Sequence, residues 1–429
     1  MYRQFILIIL CFGMVMDVTA QATPESESDF MADQRVFYTY HQESGNRFVH
    51  GTGTFPIVAT TDYPFDAQPQ WLVAAHQDTS LLTSTQLLTV QLADDRIISI
   101  DPLTGEINAE FGIHSADQPI VTYQWRGKWA WLGQQNDNPT NPIFLYDRGA
   151  VIAVDDSGDL QLSPLSEQSL AVNIQADAKI VRSNDDRFAV YANATNQRYV
   201  HGIMGDDIEG ASLVIFQIVD DALQIIQQID LEGDAVYEGL SPMWADIDGD
   251  GIQDLITTVS DSRVGSRIRI YRFTNDGMIT IEGQAIGQPN RWQHQLAWGT
   301  FGVDGAMQLV EVLTPHIGGI VRFYEFDGAS LSIVAQLGGY TSHIIGSRNL
   351  DMAVAGDFDG DGQPEIVLPS QDRTRIAGIA NTANGAQVMW ELPIDGVLST
   401  NLAATRTPQG LMLAVGRTDG TVRVWSPQG

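Results

Sequence analysis

Residues 244–256 decide the fold, and they read Trp-Ala-Asp-Ile-Asp-Gly-Asp-Gly-Ile-Gln-Asp-Leu-Ile. The stretch places four carboxylates within nine residues, with glycines between them and an apolar run on each side. Oxygen ligands at alternating positions suit a hard cation, and the glycines let the loop wrap around it. A tight turn needs only one Asp-Gly pair, and the further acids would repel one another without a cation. The stretch therefore predicts a cation-binding loop between two strands, with an empty turn as the alternative.

The same pattern returns twice further along the chain. Residues 356–367 read Gly-Asp-Phe-Asp-Gly-Asp-Gly-Gln-Pro-Glu-Ile-Val, and residues 299–310 keep the turn but only one of its acids, Asp304. The first positions of the three loops, Asp246, Thr300 and Asp357, are 54 and then 57 residues apart. Self-similarity at such a period is typical of stacked repeat units. We expect no ion at residues 300–308.

The sequence between the loops predicts short antiparallel strands in groups of four. From Arg35 onward, short runs of Val, Ile, Leu, Phe and Tyr alternate with Asp-Gly and Thr-Gly turns, without helical periodicity. The groups are clearest at 241–283, 292–338 and 348–393. In the first of these, strands are expected up to 245 and at 254–259, 267–273 and 278–282. Looser groups are expected at 71–111, 120–162 and 179–231.

These groups predict an all-β fold, a β-propeller of four-stranded antiparallel blades. A count of the groups favours seven blades, with six or eight as alternatives. The last group, residues 402–425, has only three strands. An N-terminal strand such as residues 36–41 would supply the fourth, which closes the ring and removes exposed sheet edges.

Composition and the N-terminus bear on localisation and partners. The chain has 429 residues and a formal net charge of −30, which disfavours nucleic acid and anionic lipid as partners. Arg3, the apolar run 5–16 and the small residues 18–20 predict a signal peptide over 1–20. An uncleaved anchor is the alternative. Residues 21–34 predict a disordered acidic leader, and residues 35–429 the propeller. The single cysteine, Cys11, lies within the signal peptide.

The motif Asp-x-Asp-Gly-Asp-Gly-x-x-Asp/Glu before an aliphatic strand resembles the FG-GAP (VCBS-type) repeat of integrin α-subunit propellers and their bacterial relatives. It is strong at 246–254 and 357–365 and degenerate at 300–308. The resemblance implies that each loop joins the first two strands of a blade and holds Ca²⁺, with Mg²⁺ as an alternative. The implied ligands are the side chains of Asp246, Asp248, Asp250 and Asp254 with the carbonyl of Ile252, and those of Asp357, Asp359, Asp361 and Glu365 with the carbonyl of Gln363.

A second candidate site comes from basic and aromatic residues ahead of the first strands of two groups. In a propeller these positions lie near the mouth of the central channel, where cationic side chains on an acidic protein could bind an anion, a sugar or a carboxylate. Ordinary solvated loop residues are the competing interpretation. The candidates are Arg291, His294, His343, Arg348 and Asp351.

The sequence therefore predicts a secreted, periplasmic or cell-surface calcium-binding propeller, a monomer without a transmembrane span in its mature form. We expect a non-catalytic binding module for a protein or a glycan. The alternative is a lyase- or hydrolase-type enzyme that uses an Arg/His/Asp set at the channel mouth. No phosphate-binding loop, zinc spacing or nucleophile motif supports another class of enzyme.

Overall fold

The computed structural model describes residues 36–80, 83–111, 115, 118–125, 128–132 and 140–428. The predicted signal peptide and acidic leader lie outside the described residues. The described part of the chain contains strands, turns and one 3₁₀ turn at Tyr146–Arg148, and no α-helix. None of its helices has the length and apolar character needed to cross a membrane.

In chain order the described strands are β1 (Val36–Phe37), β2 (Phe48–Thr52), β3 (Val58–Pro64), β4 (Pro69–Ser80), β5 (Thr83–Leu92), β6 (Arg96–Ile100), β7 (Ile107–Phe111), β8 (Val121–Trp125), β9 (Lys128–Leu132), β10 (Ile143–Leu145), β11 (Ala150–Val154), β12 (Leu160–Ser163), β13 (Ser169–Leu170), β14 (Val181–Arg182), β15 (Phe188–Thr195), β16 (Glu209–Val219), β17 (Ala222–Asp230), β18 (Val236–Tyr237), β19 (Met243–Ala245), β20 (Asp254–Asp261), β21 (Gly265–Thr274), β22 (Gly277–Glu282), β23 (Gln293–Gly299), β24 (Gln308–Leu313), β25 (Ile320–Phe326), β26 (Leu331–Gly338), β27 (Val354–Asp357), β28 (Glu365–Pro369), β29 (Arg375–Thr382), β30 (Gly385–Pro393), β31 (Ala403–Thr407), β32 (Gly410–Gly416) and β33 (Thr421–Pro427).

Most of these strands form four-stranded antiparallel meanders. Three meanders, β4–β7, β10–β13 and β23–β26, are separate sheets, and β27–β30 carries β2 as an additional parallel strand. A nine-stranded sheet contains the two meanders β14–β17 and β19–β22, which β18 joins. The expected groups at 241–283, 292–338 and 348–393 are confirmed as antiparallel meanders with nearly the expected strand boundaries.

Burial changes in the same direction across each meander. The second strands β20, β24 and β28 are buried along their whole length, because neighbouring sheets cover both of their faces. The fourth strands β22, β26 and β30 are mostly exposed or half-buried, with only one or two buried residues each. Each meander therefore has an inner side within the core and an outer side toward solvent.

The sequence prediction for residues 120–162 is wrong, because these residues contribute to two sheets instead of one. Strands β8 and β9 pair with β1, whereas β10–β13 form a separate meander. Strand β1 occupies the free edge of β8, and a new meander starts at Ile143. The described strands thus fall into eight successive groups.

The last group does take its fourth strand from the N-terminal region, but the donor is not the expected one. Strand β3 pairs antiparallel with β33 from Val58↔Pro427 to Pro64↔Thr421. The segment 36–41 instead pairs through β1 with β8. The pairing with β33 involves all seven residues of β3, whereas β1 has only two residues and both pair with β8.

The segment before β3, residues 36–57, is here called the N-terminal strap. It contacts the first strands, or the residues beside them, of six successive groups. Its hydrogen bonds, in order, are Phe144 N–H to Tyr38 Oη, Arg182 N–H to the Glu43 carbonyl, Trp244 N–H to the Ser44 carbonyl, Asn46 Nδ2 to the Trp298 carbonyl, and Ala355 N–H to the Arg47 carbonyl. Together with the β1–β8 pairing, these contacts bind one segment to sheets far apart in sequence.

The last group also contacts the first. Asn401 Nδ2 donates to the carbonyl of Leu72 at 2.8 Å, and the Leu72 N–H donates to Asn401 Oδ1 at 2.9 Å. Met412 and Ala414 share one apolar cluster with Leu72 and Leu88. The two ends of the series of sheets are therefore packed against each other.

Candidate functional site

Two acidic loops join the first and second strands of their groups, between β19 and β20 and between β27 and β28. In each loop three aspartates bring one carboxylate oxygen apiece within 4.8 Å of the others. Among the described residues, these are the two groups of three His, Cys, Asp or Glu side chains that come this close. They are Asp246, Asp248 and Asp250 in the first loop, and Asp357, Asp359 and Asp361 in the second.

The backbone holds both sets of carboxylates in the same way. Gly249 N–H donates to Asp246 Oδ1 and Gly360 N–H donates to Asp357 Oδ1, each at 2.8 Å. Both glycines have a positive φ, +74° and +82°, which other residues adopt only with strain. Two further pairs of bonds match in register: Asp250 N–H to Asp248 and Asp361 N–H to Asp359, then Ile252 N–H to Asp250 and Gln363 N–H to Asp361.

The fourth acid of the first loop is buried and incompletely satisfied. Asp254 Oδ1 accepts the Phe273 N–H at 2.7 Å, whereas Asp254 Oδ2 is buried without a hydrogen-bond partner. Burial, with repulsion from Asp248 and Asp250, raises the pKa of Asp254 to about 7. An unsatisfied buried carboxylate oxygen costs free energy that a bound cation would remove. The residues of the first loop thus fit a cation.

The fourth acid of the second loop has more contacts. Glu365 Oε2 accepts the Phe358 N–H at 2.8 Å, and Glu365 Oε1 accepts the Trp390 Nε1–H at 3.0 Å. Burial raises the pKa of Glu365 to about 8, and the charge of the nearby Asp359 adds to this. The longer glutamate side chain thus keeps the position of Asp254 while it also bonds to the indole.

The two carbonyl positions implied by the resemblance belong to residues with different side chains. Gln363 Nε2 donates to the carbonyls of Phe301 and Asn381, so the side-chain amide is directed away from the aspartates and only the backbone carbonyl fits the expected role. The side chain of Ile252 is apolar, so this residue also offers only its backbone carbonyl to a cation. In the first loop Arg272 Nε lies 2.5 Å from Asp248 Oδ2, which gives one carboxylate a partial counter-charge.

The third loop, residues 300–307, is here called the echo loop, and it is closed by backbone alone. Gly302 N–H donates to the Ala306 carbonyl at 3.0 Å, and Gly305 N–H donates to the Gly302 carbonyl at 2.8 Å. Gln308, at the position of Asp254, is buried, donates to Glu325 Oε1 and accepts from Asn381 Nδ2. Amide hydrogen bonds replace the carboxylates here.

The predicted ligand residues at the opposite strand ends do not converge as one set. Asp351 is fully buried and accepts hydrogen bonds from Thr39 Oγ1, Arg47 Nε and Lys179 Nζ. Arg348 pairs with Asp206 at 3.2 Å. Arg291 donates to the carbonyl of its own neighbour, Asn290.

His294 and His343 do come together, around a tryptophan. The Trp292 ring stacks on His294 at 4.6 Å and meets His343 edge-on at 5.4 Å, centroid to centroid. His316 completes the group, with its ring centroid 6.2 Å from that of Trp292. We call these four residues the histidine cluster. Thr314 N–H donates to the Trp292 carbonyl, and this bond places the loop after β24 beside the start of β23.

Burial keeps the imidazoles of this cluster neutral at pH 7. It lowers the pKa of His316 to about 4 and that of His343 to about 3. The pKa of His294 lies well below its usual value because of burial and the positive charge of Arg47. His294 Nδ1 lies 2.9 Å from Ser342 Oγ.

Sequence reasoning missed the ionic centre formed by Arg47, Lys179 and Asp351. Burial acts to raise the pKa of Asp351, but the charges of Lys179 and Arg47 outweigh it, so the pKa falls to about 2. The one available signal was that Lys179 is one of only two lysines in the chain. Arg47 belongs to the N-terminal strap, so this centre joins the strap to β27 and its neighbours.

Comparisons with known protein families and with curated proteins find no match to this chain.

Proposed function

We propose that the chain is a secreted or cell-envelope β-propeller of the FG-GAP/VCBS type, stapled by two calcium ions, that serves as a binding module. The observation that carries the proposal is the pair of acidic loops, which share three backbone-to-carboxylate hydrogen bonds in register. Two loops 111 positions apart that share these three bonds behave as copies of one ion-binding device.

The propeller proposal is supported by the order of contacts between sheets. Successive groups pack against one another, and the bonds between Asn401 and Leu72 join the last group to the first. Inner strands buried on both faces and outer strands half exposed are what blades around an axis require. The eight groups support eight blades, instead of the seven that the sequence favoured.

Calcium is the ion that the donor set favours. All proposed donors are oxygen atoms, the loop backbone is rich in glycine, and four carboxylates exceed what a magnesium site with several waters uses. When bound, the ion neutralises carboxylates that otherwise repel one another across 4.8 Å or less. The chain's own residues orient these carboxylates and join two strands of one group.

The binding-module proposal is supported by the position of Asp351. This residue is fully occupied by Thr39, Arg47 and Lys179, and Arg348 pairs with Asp206. The enzyme alternative needs an Arg/His/Asp set around a substrate, and the described part of the chain assembles none at these positions. Binding then falls to exposed loops, which include Ile317 and Ile345, 62% and 65% exposed beside the histidine cluster.

The experiment is thermal unfolding of the mature chain in 10 mM CaCl₂, in 10 mM MgCl₂ and in chelator. At a Kd on the order of 10⁻⁴ M each site contributes about 2.7 kcal/mol at that concentration, so two sites contribute about 5 kcal/mol. We expect a clear upward shift of the melting temperature in calcium, and calorimetric titration with two ions bound. Equal melting temperatures in calcium and chelator would contradict the proposal.

Ligand identity is tested separately, by a thermal-shift screen of glycans and of envelope proteins at saturating calcium. A protein or glycan that raises the melting temperature, and whose effect is lost in the Ile317→Asp, Ile345→Asp double variant, would locate binding at this face. A hit that persists in the double variant would move the binding surface elsewhere.

A further inference from the structure

His316 and His343 face each other directly at the strand ends opposite the acidic loops. His316 Nε2 and His343 Nδ1 are 2.7 Å apart, and the two ring centroids are 4.9 Å apart. His316 follows β24, where Leu313 pairs with Ile320, whereas the echo loop lies at the other end, where Gln308 pairs with Gly299. The pair is thus separate from every position proposed to hold calcium.

The hydrogen bonds of His343 define which of its nitrogens carries a lone pair. His343 Nε2 lies 2.6 Å from the carbonyl oxygen of Ser347, which can only accept, so Nε2 carries the proton. In the neutral ring Nδ1 is then an acceptor directed at His316. A histidine held through one nitrogen by a backbone carbonyl, with a lone pair on the other nitrogen, has the arrangement typical of a metal-ligating histidine.

We propose that His316 and His343 form a binding site for a borderline divalent metal ion of the Zn²⁺, Ni²⁺ or Cu²⁺ class. Imidazole nitrogen is a preferred ligand of these ions, whereas the oxygen-only acidic loops suit calcium. His316 binds in the tautomer that carries its proton on Nδ1, so that Nε2 and His343 Nδ1 both present lone pairs. Water completes the coordination, since the described residues offer no third His, Cys, Asp or Glu donor within the same distance.

Metal binding needs a change in the separation and the direction of the two rings. Two nitrogens each about 2.1 Å from one ion lie roughly 3.0–3.4 Å apart at angles between square and tetrahedral. The observed separation of 2.7 Å therefore has to widen by about 0.3–0.7 Å, and both rings have to turn so that their lone pairs meet at an ion beside the line that joins the two nitrogens; His316 is partly exposed and has room to turn. His316 is followed by the exposed residues Ile317 and Gly318, which leaves a route from solvent.

Trp292 makes the site measurable, because its ring lies 6.2 Å from His316 and 5.4 Å from His343. The experiment is a titration of the mature, untagged chain with CuCl₂ or NiCl₂, in CaCl₂ at a concentration that fills the acidic loops. Tryptophan fluorescence and isothermal calorimetry are followed together. We expect quenching that saturates at one equivalent of metal, and a Trp292→Phe variant that still binds in the calorimeter with reduced quenching.

Two substitutions separate metal binding from the hydrogen bond between the rings. His316→Asn keeps a side-chain N–H that can donate to His343 Nδ1 but removes the imidazole, and it should weaken metal binding by at least about tenfold. His316→Ala should do the same, and His50→Ala, at an exposed histidine elsewhere, should bind like the wild type. Both His316 variants and His50→Ala should keep the upward shift of the melting temperature that calcium causes in the wild type.

Equal affinity in wild type, His316→Asn and His316→Ala would overturn the proposal, as would the absence of a one-equivalent phase in the wild type. If both His316 variants lose affinity for the metal and His50→Ala binds it like the wild type, the proposal is established. The result is independent of the calcium proposal, because calcium dependence of the melting temperature is measured in the same samples.

Discussion

The first acidic loop and the echo loop occupy the same place in neighbouring sheets and are held by different means. Residues 246–254 direct four carboxylates into one small volume, and Asp254 Oδ2 is left buried without a partner. Residues 300–308 close through the Gly302–Ala306 backbone bond and a buried amide at Gln308. The same position between the first and second strands is thus occupied by clustered carboxylates in one sheet and by backbone and amide hydrogen bonds in the next.

The difference shows that this four-stranded arrangement does not require clustered carboxylates between its first and second strands. A Cβ on Gly302, at the position of Asp248, would lie 2.8 Å from the Ala306 Cβ, so the echo loop has no room for the second aspartate. Gln308 and Asn381 instead supply polar groups that satisfy each other. In this sheet the polar group at the start of the second strand is an amide and carries no charge.

The largest expected effect tests whether stability outside the loops is independent of calcium. Asp351→Asn should destabilise the chain by about 3–5 kcal/mol, because Arg47 and Lys179 are left buried without their counter-charge. The loss should be the same in calcium and in chelator, measured by urea unfolding. A loss of stability that appears only in calcium would mean that the ionic centre and the acidic loops are coupled. The stability outside the acidic loops would then depend on calcium, contrary to the expectation.

The next effect compares the two loops directly. Asp248→Ala should lower stability by about 2.7 kcal/mol in 10 mM calcium, through loss of one ion, and leave it nearly unchanged in chelator. The matched control is Asp304→Ala in the echo loop, where no ion is proposed. It should have no effect in either condition, and a calcium-dependent loss there would show that the echo loop also binds an ion.

The echo loop has a complementary weak point. Gln308→Ala removes the buried amide and leaves Asn381 Nδ2 and Glu325 without this partner, at a cost of about 1–3 kcal/mol. The cost should be equal with and without calcium in thermal or urea unfolding. Rescue of the variant by added calcium would contradict an amide-only anchor.

The smallest expected effect is a pH dependence of stability that arises in β23–β26, the meander that contains the echo loop. Glu311 on β24 is fully buried, and burial raises its pKa to about 7, despite the hydrogen bond from Tyr324 Oη. The folded state therefore binds the proton of Glu311 more tightly than the unfolded chain does. The contribution of this protonated carboxyl to the free energy of unfolding is complete below the unfolded pKa, and it is lost as pH rises through about 7.

Glu311→Gln should remove that contribution. At saturating calcium, the wild type should lose about 1–2 kcal/mol between pH 5 and pH 8 relative to the variant. Urea unfolding at the two pH values measures this. Parallel losses in both proteins would assign the pH dependence to other groups.

The sequence predicted the regular part of the fold because the relevant signals are local. Alternation and Asp-Gly turns located β20 to β22 to within about two residues, and the acidic motif located both loops in which three aspartates cluster. The same signals failed for residues 36–64, because the partners of this segment, such as Trp298, Ala355 and Pro427, lie hundreds of positions away. Strand preference depends on neighbours that the local sequence does not reveal.

The second candidate site was predicted only in part for a similar reason. His294 and His343 were singled out as loop residues, and the structure brings them together through Trp292. Asp351 looked like a ligand residue because it is an acid ahead of a strand. In the structure its carboxylate accepts hydrogen bonds from the N-terminal strap and from Lys179. Whether an acid is free or paired depends on a cation that lies 172 positions earlier in the chain.

The N-terminal strap has a consequence for the order in which the molecule can assemble. Its residues leave the ribosome before all the sheets that they join, and β33, the partner of the adjoining β3, follows those sheets in the chain. Each sheet can form locally during synthesis, but the strap's contacts with Trp298 and Ala355 must wait for distant sequence. The strap can therefore reach its full set of contacts only after the last of the sheets that it joins has been made.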